Sequence, residues 1–390
     1  MIVNPSEVRA FKISLGCHLF FFFAIFTGVS TGAEGPKQIG QSEWERTVAS
    51  AKKEGQVNIY PAHNQAAIID TGVFQKRFPE IKVMQVVLQG SPQVQRILSE
   101  RRAGKDLADV VIGGGIVDRE LARADALDPI KPALISPEVV DESKWWQGTH
   151  HYSDPERQYT LLYIGAPSSV NVYYNTKIVN PSKDLRSPRD LLNPKWKGKI
   201  ASYDIRGGGP GGGTFRLIYH HPKLGPEFIR RLFGETDITL TRDGRLAVDW
   251  LATGKFPICV VCSYTDVERA KSQGLPVDTL SFGPIEGIAG LTAEGATVSL
   301  MNRAPHPNGA KVFINWLLSR EGQITAQKAL AGYGSQALDS LRIDIPKNDI
   351  PPPLRRAEGI QYIQLQDPSR LDMRPIFKVI EEALQESRKK

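Results

Sequence analysis

Cysteine is scarce in this 390-residue chain: there are three, and one of them, Cys17, lies in an N-terminal apolar run. The remaining pair, Cys259 and Cys262, is too few for the disulfide framework of a small secreted scaffold. A zinc site would need two more ligands nearby, and none stands at suitable spacing. Charge of one sign is also in short supply. The 49 basic and 42 acidic residues are scattered, with no block of five like charges and no interleaved aromatics, so a nucleic-acid partner is not expected. Only one stretch approaches membrane-spanning length, at 13–29.

Signatures of catalysis are missing as well. No Gly-x-Ser-x-Gly elbow follows residue 33, and there is no His-Glu-x-x-His helix and no phosphate loop ending in Gly-Lys-Ser/Thr. The first strand runs into Pro61-Ala62-His63 instead of a dinucleotide-binding Gly-x-Gly-x-x-Gly. The chain is therefore expected not to be an enzyme and to carry no cofactor and no metal.

What is present is core material: 41% hydrophobic residues against 23% charged ones. That balance makes a globular protein, and a single core stops growing at roughly 250 to 300 residues, so two lobes are expected. The N-terminus carries Arg9 and Lys12, four consecutive phenylalanines at 20–23 and the small-residue exit Thr31-Gly32-Ala33. This is the pattern of a signal peptide over 1–33, cleaved after Ala33, which places the rest outside the cytoplasm. An uncleaved N-terminal anchor is the alternative; a lipoprotein is disfavoured because Cys17 lacks the exit pattern. Cleavage would remove Glu7, Arg9 and Lys12 and leave 47 basic and 41 acidic residues, a mild excess compatible with an anionic ligand.

Hydrophobic periodicity alternates between strand and helix. Strands are expected at 57–60, 82–88 and 108–112, with helices at 42–53, 65–77 and 92–103. The alternation resumes with strands at 158–163, 170–175, 238–240 and 256–261, and helices at 215–220, 226–233 and 244–252. Repeated β-α-β units imply an α/β fold with parallel sheets flanked by helices. Ligands of such sheets sit beyond the carboxyl ends of the strands, so the segments after Tyr60, Leu88 and Ile112 should share one rim. A Pro351-Pro352-Pro353 linker leads to a last helix at 374–389.

Candidate ligand contacts follow from that rim. His63 and Asn64 stand in a polar turn after the first strand, and Gly113 and Gly114 end the third. In the second half the glycine-rich run 204–214 brings Arg206, a cation suited to a carboxylate or phosphate, then Gly212, Gly213 and Thr214 at a helix start. Thr214 is a candidate cap and ligand donor, and Tyr264 follows the strand at 256–261. Each has a plainer role open to it: capping for His63, a surface salt bridge for Arg206, packing for Tyr264. Tyr173 and Tyr174 lie in an alternating run and read as core. Cys259 and Cys262 read as buried thiols, a local disulfide, which requires the strand to turn, or, least of all, a redox pair. The pairs His150-His151 and His220-His221 are not expected to bind metal.

Several segments together resemble the periplasmic solute-binding proteins of ABC importers, in the family that holds ferric-ion binders and relatives for thiamine, phosphonates and sugar phosphates. They are Gly55-Gln56-Val57-Asn58-Ile59-Tyr60, the 105–112 segment with Ala108-Asp109-Val110, Val172-Tyr173-Tyr174-Asn175-Thr176, the 193–200 segment Asn-Pro-Lys-Trp-Lys-Gly-Lys-Ile, and 308–323. The likeness covers about residues 50–335. It implies a two-lobed periplasmic binding protein, each lobe a mainly parallel sheet, joined by two crossing strands as a hinge. The implied division is 55–165 with 276–331 in lobe 1 and 166–275 with 332–390 in lobe 2, including a C-terminal helical extension. It further implies capture of a small solute, delivery to a membrane permease, and a monomer. Ferric binders of this family carry adjacent tyrosines where this chain has Ser263-Tyr264, and a carboxylate where it has Gly113-Gly114-Gly115. The solute expected here is therefore an organic anion, with an iron chelate or ferric iron, a periplasmic enzyme, or a sensor component as alternatives.

Overall fold

The structure, a computed structural model, describes residues 36–207, 210–292, 296–331 and 338–389. The signal peptide expected over 1–33 lies outside them. No helix among the described residues is long and apolar enough to cross a membrane.

The chain first lays down β1 (Gln56–Pro61), β2 (Lys82–Gln85), β3 (Val110–Gly113), β4 (Leu127–Asp128), β5 (His151–Tyr152) and β6 (Thr160–Leu162). It crosses through β7 (Ala166–Ser168) to β8 (Asn171–Asn175), β9 (Ile200–Tyr203), β10 (Thr239–Thr241), β11 (Ile258–Cys259) and β12 (Val277–Ser281). It then returns through β13 (Ile288–Thr292) to β14 (Thr297–Met301) and later adds β15 (Gln361–Gln364).

Three sheets result. The first lobe has the order β2-β1-β3-β14-β6-β5, with β4 on β14; the second has β10-β9-β11-β8-β12. In each lobe three strands run parallel, β2-β1-β3 and β10-β9-β11, and the strands that arrive from the hinge, β14 and β8, pair antiparallel to them. The reason is geometric: a chain entering from the other lobe reaches the sheet from the opposite end. The central strand β3 is buried along its whole length, as its unbroken apolar run requires in a sheet covered on both faces.

The hinge differs from the expectation of two strands. β7 pairs antiparallel with β13, and β15 adds a third strand parallel to β13. The lobe boundaries shift as well. Residues 277–281 pair with β8 in the second lobe, so the return to lobe 1 falls within β13 rather than at 276. Leu338 and Leu341 join the first-lobe core, whereas Ile376, Val379, Ile380 and Ala383 of helix Arg374–Ser387 join that of the second. The C-terminal residues thus serve both lobes.

Local features explain other departures. The helix expected over 65–77 is two helices, His63–Asp70 and Val73–Arg77, broken at Gly72 with φ +68°. The strand expected to reach Val261 ends at Cys259, and Cys259 and Cys262 form a disulfide across the turn that follows. Several residues that carry the family resemblance prove to be structural. Asp109 accepts hydrogen bonds from the backbone N–H of Asn58 (2.7 Å) and of His306 (2.7 Å), joining strand to strand. Asn175 donates to the carbonyl of Leu251 at 2.9 Å, and Trp196 is buried.

Candidate functional site

In the first lobe each parallel strand is followed by a helix that starts at the same rim: β1 by His63–Asp70, β2 by Ser91–Arg102, β3 by Gly115–Arg123. The N-cap residues are Ala62, Gly90 and Gly114, and among the described residues no N-cap side chain closes any of the three starts. Caps normally satisfy one of the unbonded N–H groups of a first turn. Here the first turns instead border a cavity of about 530 Å³. Its wall includes His63, Asn64, Gly90, Gln93, Gly113 and Gly114. Thr292 at the end of β13 and Gln366 beyond β15 close it from the hinge side. Among the described lining residues there is no Asp, Glu, Lys or Arg, and His63 is the sole titratable side chain.

His63 and Asn64 are the first two residues of a helix, a correction to the turn expected there. Gln93 is fully buried and fixed: its Nε2 donates to the carbonyls of Tyr60 (2.8 Å) and Ile112 (3.2 Å), while its Oε1 is enclosed without a hydrogen-bond partner among the described residues. Behind the third helix start lies Asp118, 3% exposed, which accepts from Ser153 Oγ (2.7 Å) and Thr297 Oγ1 (2.9 Å). Burial pushes its carboxyl up to about 6 against the pull of those two hydroxyls.

The second lobe repeats the plan with a different outcome. Helices Gly212–His220, Gly244–Thr253 and Tyr264–Ser272 follow β9, β10 and β11. Asp243 caps the second through the N–H groups of Arg245 (3.0 Å) and Leu246 (3.1 Å), and Ser263 caps the third through Asp266 N–H. Only Gly212–His220 starts without a side-chain cap. Its cap position is Gly211, not Thr214, which sits third in the helix. Gly211 has φ +93°, and a Cβ there would lie 2.7 Å from Val261, so only glycine fits.

None of the five second-lobe candidates, Arg206, Gly212, Gly213, Thr214 and Tyr264, lines the first-lobe cavity. Arg206 is committed elsewhere: its Nε and Nη2 donate to Asp204 Oδ1 (2.8 Å) and Oδ2 (3.0 Å). Tyr264 is 43% exposed at the first position of its helix, and Tyr173 is buried as expected. The structure brings His63, Asn64, Gly113 and Gly114 to one cavity wall, together with Gly90, Gln93, Thr292 and Gln366, which positional logic did not name. The Gly-Ser-Pro start at 90–92 was the available signal for Gly90 and Gln93; Gln366 had none.

A larger cavity, about 610 Å³, opens on the outer face of the first lobe between Trp44, Phe78 and Trp316. It lies away from the carboxyl ends of the strands, where an open α/β sheet meets its ligand. Among the described residues no group of three or more His, Cys, Asp or Glu side chains is arranged to hold a metal ion.

Residues 60–324 match the model of the bacterial extracellular solute-binding protein family. The chain belongs to that family. Its members bind small solutes and work with ABC permeases. Solved structures with the same fold include iron-bound HitA from Pseudomonas aeruginosa, at 18% identity over 86% of this chain and 98% of that one, with a TM-score of 0.50. Trichodesmium IdiA (FutA) in complex with iron and citrate is similar at 18% identity over 86% and 99%, TM-score 0.53. An extracellular solute-binding protein from Bordetella parapertussis follows at 16% identity over 86% and 98%, TM-score 0.55. At these identities the likeness is one of fold. No curated protein matches the chain in sequence.

Proposed function

We propose that this protein is the periplasmic solute-binding component of an ABC importer, without enzymatic activity, and that its solute is a small organic anion seated in the first-lobe cavity. The observation that carries the reading is the convergence of three uncapped helix starts on a cavity whose described lining holds no carboxylate. Each helix N-terminus carries roughly half a positive charge, worth about 0.3 to 2 kcal/mol toward a nearby anion. His63, Asn64, Gly113 and Gly114 form the first-lobe contacts. Gly212, Gly213 and Thr214, at the one uncapped start among the three second-lobe helices that follow β9, β10 and β11, meet the anion when the lobes close, with Tyr264 at the neighbouring start. Arg206 drops out of the contact set because Asp204 already holds its guanidinium.

Iron enters this reading only as a chelate. HitA is iron-bound and the Trichodesmium protein holds iron with citrate, but bare ferric iron requires hard anionic oxygens, and the described cavity wall offers none. A preformed anionic chelate has the charge that the helix starts favour.

The test is a thermal-shift screen of the metal-free protein against phosphate, citrate, fructose 6-phosphate, ferric iron and neutral sugars. A ligand present at about 100 times its Kd adds about 2.7 kcal/mol of stability. Stabilisation by an organic anion without metal is the expected result. A response confined to neutral sugars or to bare ferric iron would overturn the reading.

A further inference from the structure

The family match ends at residue 324, yet the chain continues through the hinge and into the space between the lobes. β15 is held by β13, and helix Arg374–Ser387 is anchored in the second-lobe core, so the nine residues between them are fixed at both ends. The segment is also stiffened internally. Arg370 Nη1 donates to the carbonyl of Gln364 (3.0 Å), and Asp367 accepts from Ser369 N–H (3.0 Å) and Oγ (2.6 Å).

Three of its side chains meet the cleft. Gln366 lines the first-lobe cavity, and its Oε1 is enclosed without a partner among the described residues. Leu371 reaches Gly115, the first residue of a first-lobe helix, at 3.9 Å from where a Cβ would stand. Met373 reaches Gly212, the first residue of the open second-lobe helix, at 4.0 Å on the same measure. One short segment thus touches a helix start of each lobe and the first-lobe cavity.

We infer that residues 365–373 are a wall of the solute cleft, with Gln366 a specificity-determining contact to the solute and Leu371 and Met373 packing the segment against both lobes. The inference rests on the reading that an anion occupies the first-lobe cavity. A neutral amide at 366 tolerates that anion and presents polar atoms to its uncharged parts; a carboxylate there would repel it.

Two variants of the full chain test it. Gln366→Glu should weaken citrate binding by about tenfold or more through like-charge repulsion, while Gln366→Asn retains binding. Leu371→Ala/Met373→Ala should raise amide hydrogen exchange at both 115–118 and 212–215. Unaltered citrate affinity in Gln366→Glu, together with unaltered exchange in the double variant, overturns the wall. Should the wild-type protein give no response to citrate, phosphate or fructose 6-phosphate, the proposed function falls. Exchange then decides the wall alone: a rise at both helix starts supports it, and no change overturns it.

Discussion

The two lobes are built on one plan, three parallel strands each delivering a helix start to the cleft rim, but they finish those starts differently. In the first lobe Ala62, Gly90 and Gly114 leave all three without a side-chain cap. In the second, Asp243 and Ser263 close two of three, and Asp204 engages the nearby Arg206. A capped start is already satisfied and serves stability; an uncapped one reserves its N–H groups and dipole for something that arrives later. The proposal that the first lobe chiefly captures the solute rests on this contrast.

The largest effect should come from closing an open start. Gly114 has extended backbone (φ −164°) that any residue can adopt, so Gly114→Asp would cap helix Gly115–Arg123 and set a carboxylate in the cavity. Like-charge juxtaposition costs several kcal/mol, so calorimetry should show anion affinity reduced on the order of a hundredfold, with thermal stability retained or raised by about 0.5 to 2 kcal/mol.

The next effect concerns Asp118, behind that same start. Its folded pKa of about 6 lies above the usual carboxylate range, so its ionisation opposes folding. The opposition is absent below about pH 4 and complete above 6, on the order of 3 kcal/mol. Asp118→Asn should therefore gain stability relative to wild type as pH rises from 4 to 7, measured by denaturant unfolding at each pH. A constant difference across that range would contradict the assignment.

Smaller effects should fall on the second lobe. Loss of the Cys259–Cys262 bridge, by Cys259→Ser/Cys262→Ser, releases a four-residue loop and should cost about 2 kcal/mol by loop entropy, read as a lowered melting temperature. Arg206→Ala should cost about 1 to 3 kcal/mol, because it leaves the nearly buried Asp204 carboxylate without its bidentate partner, with affinity unchanged; a tenfold loss of affinity would return Arg206 to the site and weaken the contrast between lobes. Asp243→Ala should cost about 1 kcal/mol of stability and leave anion affinity alone.

Much of the fold was legible in the sequence because it is written in local pattern. The apolar run that ends at Gly113 and the alternation around Val172 belong to strands, and Asp109, Asn175 and Trp196 proved to be the bonds and packing that hold the family scaffold. The first-lobe rim was legible for the same reason: strand, then turn, then helix start fixes which residues reach it. The rest depended on long-range geometry. Nothing near Gln366 in sequence places it opposite His63, because that placement comes from β15 pairing with β13. The commitment of Arg206 to Asp204, two residues away, is a choice of rotamer that spacing alone leaves open. The cysteine bridge likewise depended on where β11 stops.

The most direct test of the first-lobe assignment is a titration of glycine-selectively 15N-labelled protein with citrate, phosphate and fructose 6-phosphate, followed by NMR. The account predicts that Gly90, Gly114 and Gly115 amide signals shift together and saturably with at least one of these anions, while Gly254 and Gly274 stay in place. Saturable shifts that leave those first-lobe glycines untouched would contradict it.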